Sequence, residues 1–330
     1  MPAPLILDVD TGVDDLVALL LAVASPEVDL LAATTVTGNV HVDLATRNTL
    51  LALQIAGAGE VEVASGAAAP LVQTWSPFEV VHGPEDLGGF SPGQPAGTAS
   101  SRSAATLIVE EAQRAPGEVV LVATGPLTNV ALAVEQEPRL PEVLGGFALM
   151  GGAFRQGGNV TPRTEANVWM DPEAAALVFA AWAGAAPDQL PRCLGLDVTE
   201  QVWLSAGDVD RACAAAPRSE LATLVRESVA YYAAFYASSG RADGACMHDP
   251  LALLAAIDPG LCTWTDARVE VELDGRWTRG ETVADLVGLR STPWSDWAPE
   301  DNARVATSVD AGRVVAAIVG HLTSLVEERA

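Results

Sequence analysis

Short apolar runs alternate along the whole chain with longer stretches in which apolar residues recur every three or four positions. The first pattern fits buried strands and the second amphipathic helices. Their alternation predicts strands wrapped by helices in a mainly parallel sheet. Residues 5–9 read as a first buried strand followed by a helix over 14–24, and residues 30–36 as a second strand followed by a helix over 43–56. A third strand is expected at 61–64. From Gly66 to Ser103 the pattern lapses into Gly, Pro and Ser around His82-Gly83, and a loop that long inside a compact domain is usually functional or disordered. Regular structure resumes with a helix over 103–114, a strand over 119–123, and the turn from Thr124 to Asn129 leading into another helix. Residues 147–150 form a further strand. Asp171-Pro172 opens a helix, with Asp as cap and Pro at the first helical position. Helices follow at 219–236 and 249–256, a hairpin over 268–283 turning at Asp274-Gly275, a strand at 304–309 and a closing helix at 312–326. Neither a repeat nor a linker divides the chain, so residues 1–330 read as one domain.

Composition narrows the functions open to such a fold. Eighteen basic against forty-three acidic side chains leave a formal charge of −25, which repels phosphate backbones and anionic lipid and argues against nucleic acid and membranes as partners. Every basic residue is Arg. Without Lys there is no Schiff-base chemistry, no pyridoxal-phosphate attachment and no P-loop lysine. Cys193, Cys213, Cys246 and Cys262 are too widely spaced for a zinc pair or a disulfide framework and read as buried thiols of a cytoplasmic protein. The start of the chain lacks a basic segment ahead of its apolar run. The longest apolar stretch, residues 16–24, is too short to span a bilayer.

Chemistry gathers first at Asp8-Val9-Asp10-Thr11-Gly12-Val13-Asp14-Asp15, where four carboxylates crowd the exit of the first strand. Ligands bind at the carboxyl ends of strands in open α/β sheets, and carboxylates this dense repel one another unless a cation or hydrogen-bonding ligand offsets them. Oxygen ligands with no His or Cys nearby suit Ca²⁺ or Mg²⁺ rather than zinc. Asp14 and Asp15 could instead merely cap the following helix, which leaves Asp8 and Asp10 unexplained. An EF-hand fails because its required Gly would be Val13 and its closing Glu would be Leu19. A phosphatase of the haloacid dehalogenase type is the stronger competitor, since its first motif, Asp-x-Asp-x-Thr, resembles Asp8-Val9-Asp10-Thr11 with Asp8 as nucleophile. Those enzymes generally use a Lys on the phosphate, which this chain could replace only with Arg.

Other segments add polar groups at later strand exits: Asn39, the Thr124 to Asn129 turn, Asn159, Glu165 and Asn167 in one loop, and His248-Asp249-Pro250 at a helix start. Singly, each has a plain alternative, with Asn39 as a turn residue, Thr128 as a helix cap and Asp249 as an ordinary N-cap. Together they suit a polyhydroxylated ligand such as a sugar.

These segments resemble the nucleoside hydrolases of the inosine-uridine preferring type, calcium-dependent enzymes that cleave N-ribosyl bonds. The match runs in order through Asp8-x-Asp10-x-Gly12-x-Asp14-Asp15, Gly38-Asn39, His82-Gly83, Thr124-Gly-Pro-Leu-Thr-Asn129, Met150-Gly-Gly152, Asn159, Glu165-x-Asn167, Asp171-Pro-Glu-Ala-Ala175, His248-Asp249-Pro250 and Arg279-Gly-Glu-Thr-Val283. The resemblance implies an open, mainly parallel, Rossmann-like sheet flanked by helices, with a C-terminal β-hairpin and inserted active-site loops. It implies Ca²⁺ held by the carboxylates of Asp10, Asp15 and Asp249 and the main-chain carbonyl of Thr124, so that the side chain of residue 124 matters less than its backbone. Asp14, Asn39, Asn159, Glu165 and Asn167 would grip ribose hydroxyls. A water attacks the anomeric carbon of an oxocarbenium-like ribosyl group, Asp10 accepts its proton, and His248 protonates the departing base. His82 is expected near the base. His248 stands where a purine-preferring branch carries Trp, which points to a non-specific or pyrimidine-accepting enzyme. Val9 and Thr11 replace the more usual Thr and Pro, and Ala166 replaces a frequent aromatic. None of Tyr231, Tyr232 and Tyr236 carries over, because the segment up to His248 aligns only with a gap. A homodimer or homotetramer is implied.

Overall fold

The computed structural model describes residues 2–76, 79–83, 87–90, 93–241 and 244–330, leaving aside the side chains of Glu79 and Val80. Its strands are β1 (Ala3–Val9), β2 (Val28–Thr35), β3 (Glu62–Ser65), β4 (Val120–Ala123), β5 (Gly146–Met150), β6 (Arg192–Leu194), β7 (Trp203–Leu204), β8 (Ala245–Cys246), β9 (Cys262–Ala267), β10 (Val269–Val271), β11 (Thr282–Ala284) and β12 (Ala303–Val309). Between them lie α1 (Val13–Ala24), α2 (Val42–Ala56), α3 (Glu79–His82), α4 (Ala104–Arg114), α5 (Thr128–Gln136), α6 (Leu140–Val143), α7 (Ala166–Met170), α8 (Pro172–Ala181), α9 (Leu196–Thr199), α10 (Ala206–Ala212), α11 (Glu220–Ser238), α12 (His248–Ile257) and α13 (Ala311–Glu328).

Eight strands form the main sheet in the order β3-β2-β1-β4-β5-β6-β12-β9, parallel throughout except for the edge strand β9. Successive side chains of a strand point to opposite faces, and the core divides accordingly. Leu5, Leu7 and Val9 pack with α1, α12 and α13 on one face, whereas Ile6, Leu121 and Ala123 pack with α4, α5 and α8 on the other. Helix α1 is buried from Val13 to Ala22, which explains why its sequence has no polar stripe. From β1 the chain moves outward to β2 and β3, then returns to place β4 on the other side of β1. The crevice at the carboxyl ends of β1 and β4 is therefore the switch point where such sheets bind ligands.

Several expectations need correction. Strands β6, β7, β8 and β9 lie where the sequence pattern predicts none. The first three hold three residues or fewer, and β9 is a half-buried edge carrying Thr263, Thr265 and Asp266. The expected hairpin exists as antiparallel β10–β11, but residues 272–281 join its strands, and Asp274-Gly275 is only one bend in that connection, with both amides donating to Glu272 Oε1. The long loop contains the short helix α3, while its residues 77, 78, 84–86, 91 and 92 lie outside the described residues. Three of the cysteines are buried as expected and Cys262 is only half-buried. No helix among the described residues is long and apolar enough to cross a membrane.

Candidate active site

Asp10 leaves β1 at the switch point and is 2 % exposed. Its Oδ2 accepts the Asn39 N–H at 2.7 Å, and this approach requires a glycine at 38, where a Cβ would stand 2.0 Å from the same oxygen. Between Asp10 and α1 the backbone passes through Thr11 at φ +28°, a costly conformation for a branched residue, held by a 2.6 Å hydroxyl contact with Thr49. Asp15 caps α1 by accepting the Gly12 N–H at 2.9 Å, and its other oxygen accepts from Thr124 Oγ1 at 2.6 Å. The plain capping role thus holds for Asp15 without exhausting it. The Thr124 side chain, expected to matter less than the backbone, ties β4 to the carboxylate cluster. Asp249 sits in the first turn of α12, whose N-cap is Met247, so Asp249 is not an ordinary cap.

One carboxylate oxygen from each of Asp14, Asp15 and Asp249 lies within 4.8 Å of the others, and Asp10 hydrogen-bonds to Asp15. All four side chains are buried. Burial, then the charge of Asp15, pushes the Asp14 carboxyl up to about 8. Burial likewise raises Asp15, and burial followed by its acidic neighbours raises Asp249. Such a cluster is costly to ionise without a cation, and its all-oxygen donor set fits a hard divalent ion.

Asp8 has a different environment. It is fully buried, and its Oδ1 accepts from Thr34 Oγ1 at 2.5 Å and Asn129 Nδ2 at 2.8 Å while Oδ2 has no partner among the described residues. Burial lifts its carboxyl to about 7. It does not reach the cavity, so it cannot attack a substrate phosphate, and the phosphatase reading fails on position.

The cavity, of about 400 Å³, is lined by Asp10, Asp14, Asn39, His82, Thr124, Asn159, Glu165, Asn167, His248 and Asp249, with Asp15 fully buried behind them. One wall comes from the loop before α7. Asn167 Nδ2 donates to the carbonyls of Thr124 at 2.6 Å and Met150 at 3.1 Å, which binds the exits of β4 and β5 to this loop. Glu165 is the N-cap of α7, and its carboxylate accepts from the backbone N–H groups of Gly152, Asn167 and Val168. Asn159 Oδ1 accepts from Ala166 N at 3.0 Å.

Aromatic side chains line the same cavity. His82 Nδ1 accepts the Val13 N–H at 3.1 Å, and its ring lies 4.7 Å from that of Tyr232. Tyr232 Oη meets Tyr236 Oη at 3.0 Å, Tyr236 Oη meets His248 Nε2 at 2.9 Å, and His248 Nδ1 meets Thr199 Oγ1 at 2.7 Å. Burial holds both His82 and His248 down at about 3. Tyr232, Tyr236 and Arg241 reach the cavity although none was assigned from sequence. The four-residue spacing of the two tyrosines was visible, but equally fits helix packing.

Residues 5–316 match the family model of the inosine-uridine preferring nucleoside hydrolases. The chain is a member of that family. This nucleoside hydrolase is 37 % identical over 320 residues to a probable uridine nucleosidase 2 of Arabidopsis thaliana, covering 96 % of this chain and 97 % of the relative. It is 34 % identical over 312 residues to the pyrimidine-specific ribonucleoside hydrolase RihA of Citrobacter koseri, covering 94 % and 95 % of the two chains. A solved plant nucleoside hydrolase, the PpNRh1 enzyme, superposes with a TM-score of 0.89 at 32 % identity over 98 % of this chain and 99 % of that one. The nucleoside hydrolase accordingly cleaves the N-glycosidic bond of ribonucleosides, and the phosphatase alternative is set aside on family as well as on geometry.

Proposed function

We propose that this nucleoside hydrolase is Ca²⁺-dependent and accepts pyrimidine ribonucleosides, uridine among them, without requiring a purine base. The observation that carries the reading is one cavity lined both by the carboxylates of Asp10, Asp14 and Asp249 and by the rings of His82, Tyr232 and Tyr236. The carboxylates suit ribose hydroxyls and the aromatic side chains suit a planar base. Two relatives named for uridine or pyrimidine hydrolysis support the base preference.

The ion would be held by the carboxylates of Asp10, Asp15 and Asp249 and the carbonyl of Thr124. When bound, it supplies the positive charge that offsets carboxylate repulsion and favours oriented oxygen ligands. Asp10, gripped by the Asn39 N–H, accepts a proton from the water that attacks the anomeric carbon. Asp14, Asn39, Asn159, Glu165 and Asn167 hold the ribose hydroxyls, and Glu165 adds negative charge facing the oxocarbenium-like carbon. The electrons of the broken bond pass to the base nitrogen, which gains its proton from the His248 side of the cavity. His82 packs near the base.

A panel of nucleosides assayed with and without a chelator tests this reading. Uridine hydrolysis lost on chelation, restored by Ca²⁺, and abolished in Asp10→Ala with the fold intact is the expected result. Unchanged turnover in Asp10→Ala refutes the general base, and chelator-resistant turnover refutes the metal. We further read residues 1–330 as one domain acting in the cytoplasm as a homodimer or homotetramer, which light scattering on the purified enzyme checks for assembly.

A further inference from the structure

We infer that Asn129 is a positioning residue that holds the turn over residues 37–39 against Asp10, an inference resting on the reading of Asp10 as the general base. Asn129 lies in the first turn of α5, fully buried and outside the cavity lining. Its Nδ2 donates to Asp8 Oδ1 in β1 at 2.8 Å and to the Thr35 carbonyl at the end of β2 at 2.9 Å. Its Oδ1 accepts the N–H of Ala67, two residues past β3, at 2.8 Å. One amide thus joins the exits of three neighbouring strands to the helix that follows β4. Its orientation is fixed, because exchanging its oxygen and nitrogen would set an acceptor against two oxygens and a donor against an N–H. Residues 62, 94 and 121 positions away along the chain meet on this side chain.

From this amide the contacts run to Asp10. The Ala67 carbonyl accepts the Thr37 N–H at 3.0 Å, and the Val36 N–H donates to the Val9 carbonyl at 3.0 Å. Thr35 and Thr37 are therefore fastened, directly and through Ala67, on either side of a residue bonded to β1. Two positions further on, the Asn39 N–H reaches Asp10 Oδ2 at 2.7 Å. The packing leaves little slack. A Cβ at Gly66 would stand 2.1 Å from Asn129 Oδ1, and one at Gly125 would stand 2.8 Å from Val36 Cγ1 and 3.2 Å from Asp10 Cβ. A shift at the amide is thus passed on to the turn rather than absorbed.

A general base works only when its oxygen is held within a fraction of an ångström of the water it deprotonates. The Asn39 N–H gives Asp10 that fixed contact, and Asn129 gives the turn carrying the N–H its place. Loss of the Nδ2 donor leaves the Thr35 carbonyl without this partner in the interior, and the segment relaxes to find another. Asp8 keeps its bond from Thr34 Oγ1, so the disturbance passes through Thr35 and Ala67 to the turn.

The test pairs Asn129→Asp, which keeps the size and the acceptor for Ala67 N but replaces the donor with an oxygen, with Gly66→Ala, which presses a methyl group on the same amide. Each full-length variant is assayed on uridine in Ca²⁺ buffer well below its melting temperature, and hydrogen exchange of the peptide over residues 36–40 is followed by mass spectrometry. In both variants kcat should fall roughly ten- to a hundred-fold with KM changing less, since Asp14, Asn159, Glu165 and Asn167 sit on other segments. The amides of residues 36–40 should exchange faster than in wild type while those of β5 keep their protection. A role in folding alone would lower the melting temperature and leave kcat and that local protection as they are. A folded Asn129→Asp protein that keeps kcat within about threefold of wild type, or keeps the protection of residues 36–40, overturns the inference. If Asn129→Asp does not fold, Gly66→Ala decides by the same two readings. Unchanged turnover in Asp10→Ala would remove the base reading instead, a failure distinct from a protected turn in Asn129→Asp.

Discussion

Replacing Gly38 by Ala puts a methyl group where the site has no room for one. The added Cβ would stand 2.0 Å from Asp10 Oδ2, 2.7 Å from its Cγ and 2.8 Å from its Cβ. An ordinary carbon–oxygen contact is about 3.5 Å, so one partner must retreat by about 1 Å or more. The turn is held by Trp75 Nε1 on the Gly38 carbonyl at 2.8 Å and by Gly38 N on Val40 O at 3.0 Å. The carboxylate therefore yields and loses its bond from the Asn39 N–H. A displacement of that size at a reacting group costs about a hundred-fold in turnover, and overpacking of this kind costs about 1–3 kcal/mol of stability. Steady-state release of base from uridine and thermal unfolding of the same preparations measure the two effects. Gly93→Ala, whose Cβ meets nothing within 4 Å among the described residues, serves as the unaffected control. A folded Gly38→Ala protein with kcat/KM within about threefold of wild type would refute the placement of Asp10 as a precisely held base.

Gly320 lies exposed in α13 with open space around its missing Cβ, so Gly320→Ala should raise the unfolding free energy by about 0.5–1 kcal/mol and leave turnover unchanged, as read by urea denaturation. His82 titrates at about 3 in the folded chain against 6.5 for a free imidazole, so on acidification the unfolded chain takes up the proton first. The stability lead of wild type over His82→Asn should therefore shrink by up to about 2 kcal/mol between pH 7 and pH 5, and a constant lead would refute the buried neutral imidazole. Removal of a bound divalent ion should lower the melting temperature, and Ca²⁺ at about a hundred times its Kd should return about 2.7 kcal/mol.

Local signals were enough where the pattern was long and the chemistry dense. The helix over residues 43–56 and the strand over 5–9 could be read because their apolar spacing persists over whole elements, and α2 and β1 occupy nearly those ranges. Asp10, Asp14 and Asp15 stood out because four carboxylates in eight residues demand a reason. Strand β6 did not stand out, because three residues carry no periodicity and its place beside β5 depends on long-range pairing.

By itself, then, the sequence determined the alternation of strands and helices, the acidic knot at the first strand exit and the family's ordered motifs, since each is written in residues close together along the chain. Only the tertiary structure decided that Asp8 lies under the site rather than in it, that the Thr124 hydroxyl ties Asp15 to β4, and that Tyr236 and Thr199 hold His248 from both sides. Burial and hydrogen-bond partners depend on which distant segments the sheet brings together, and local patterning alone does not specify them.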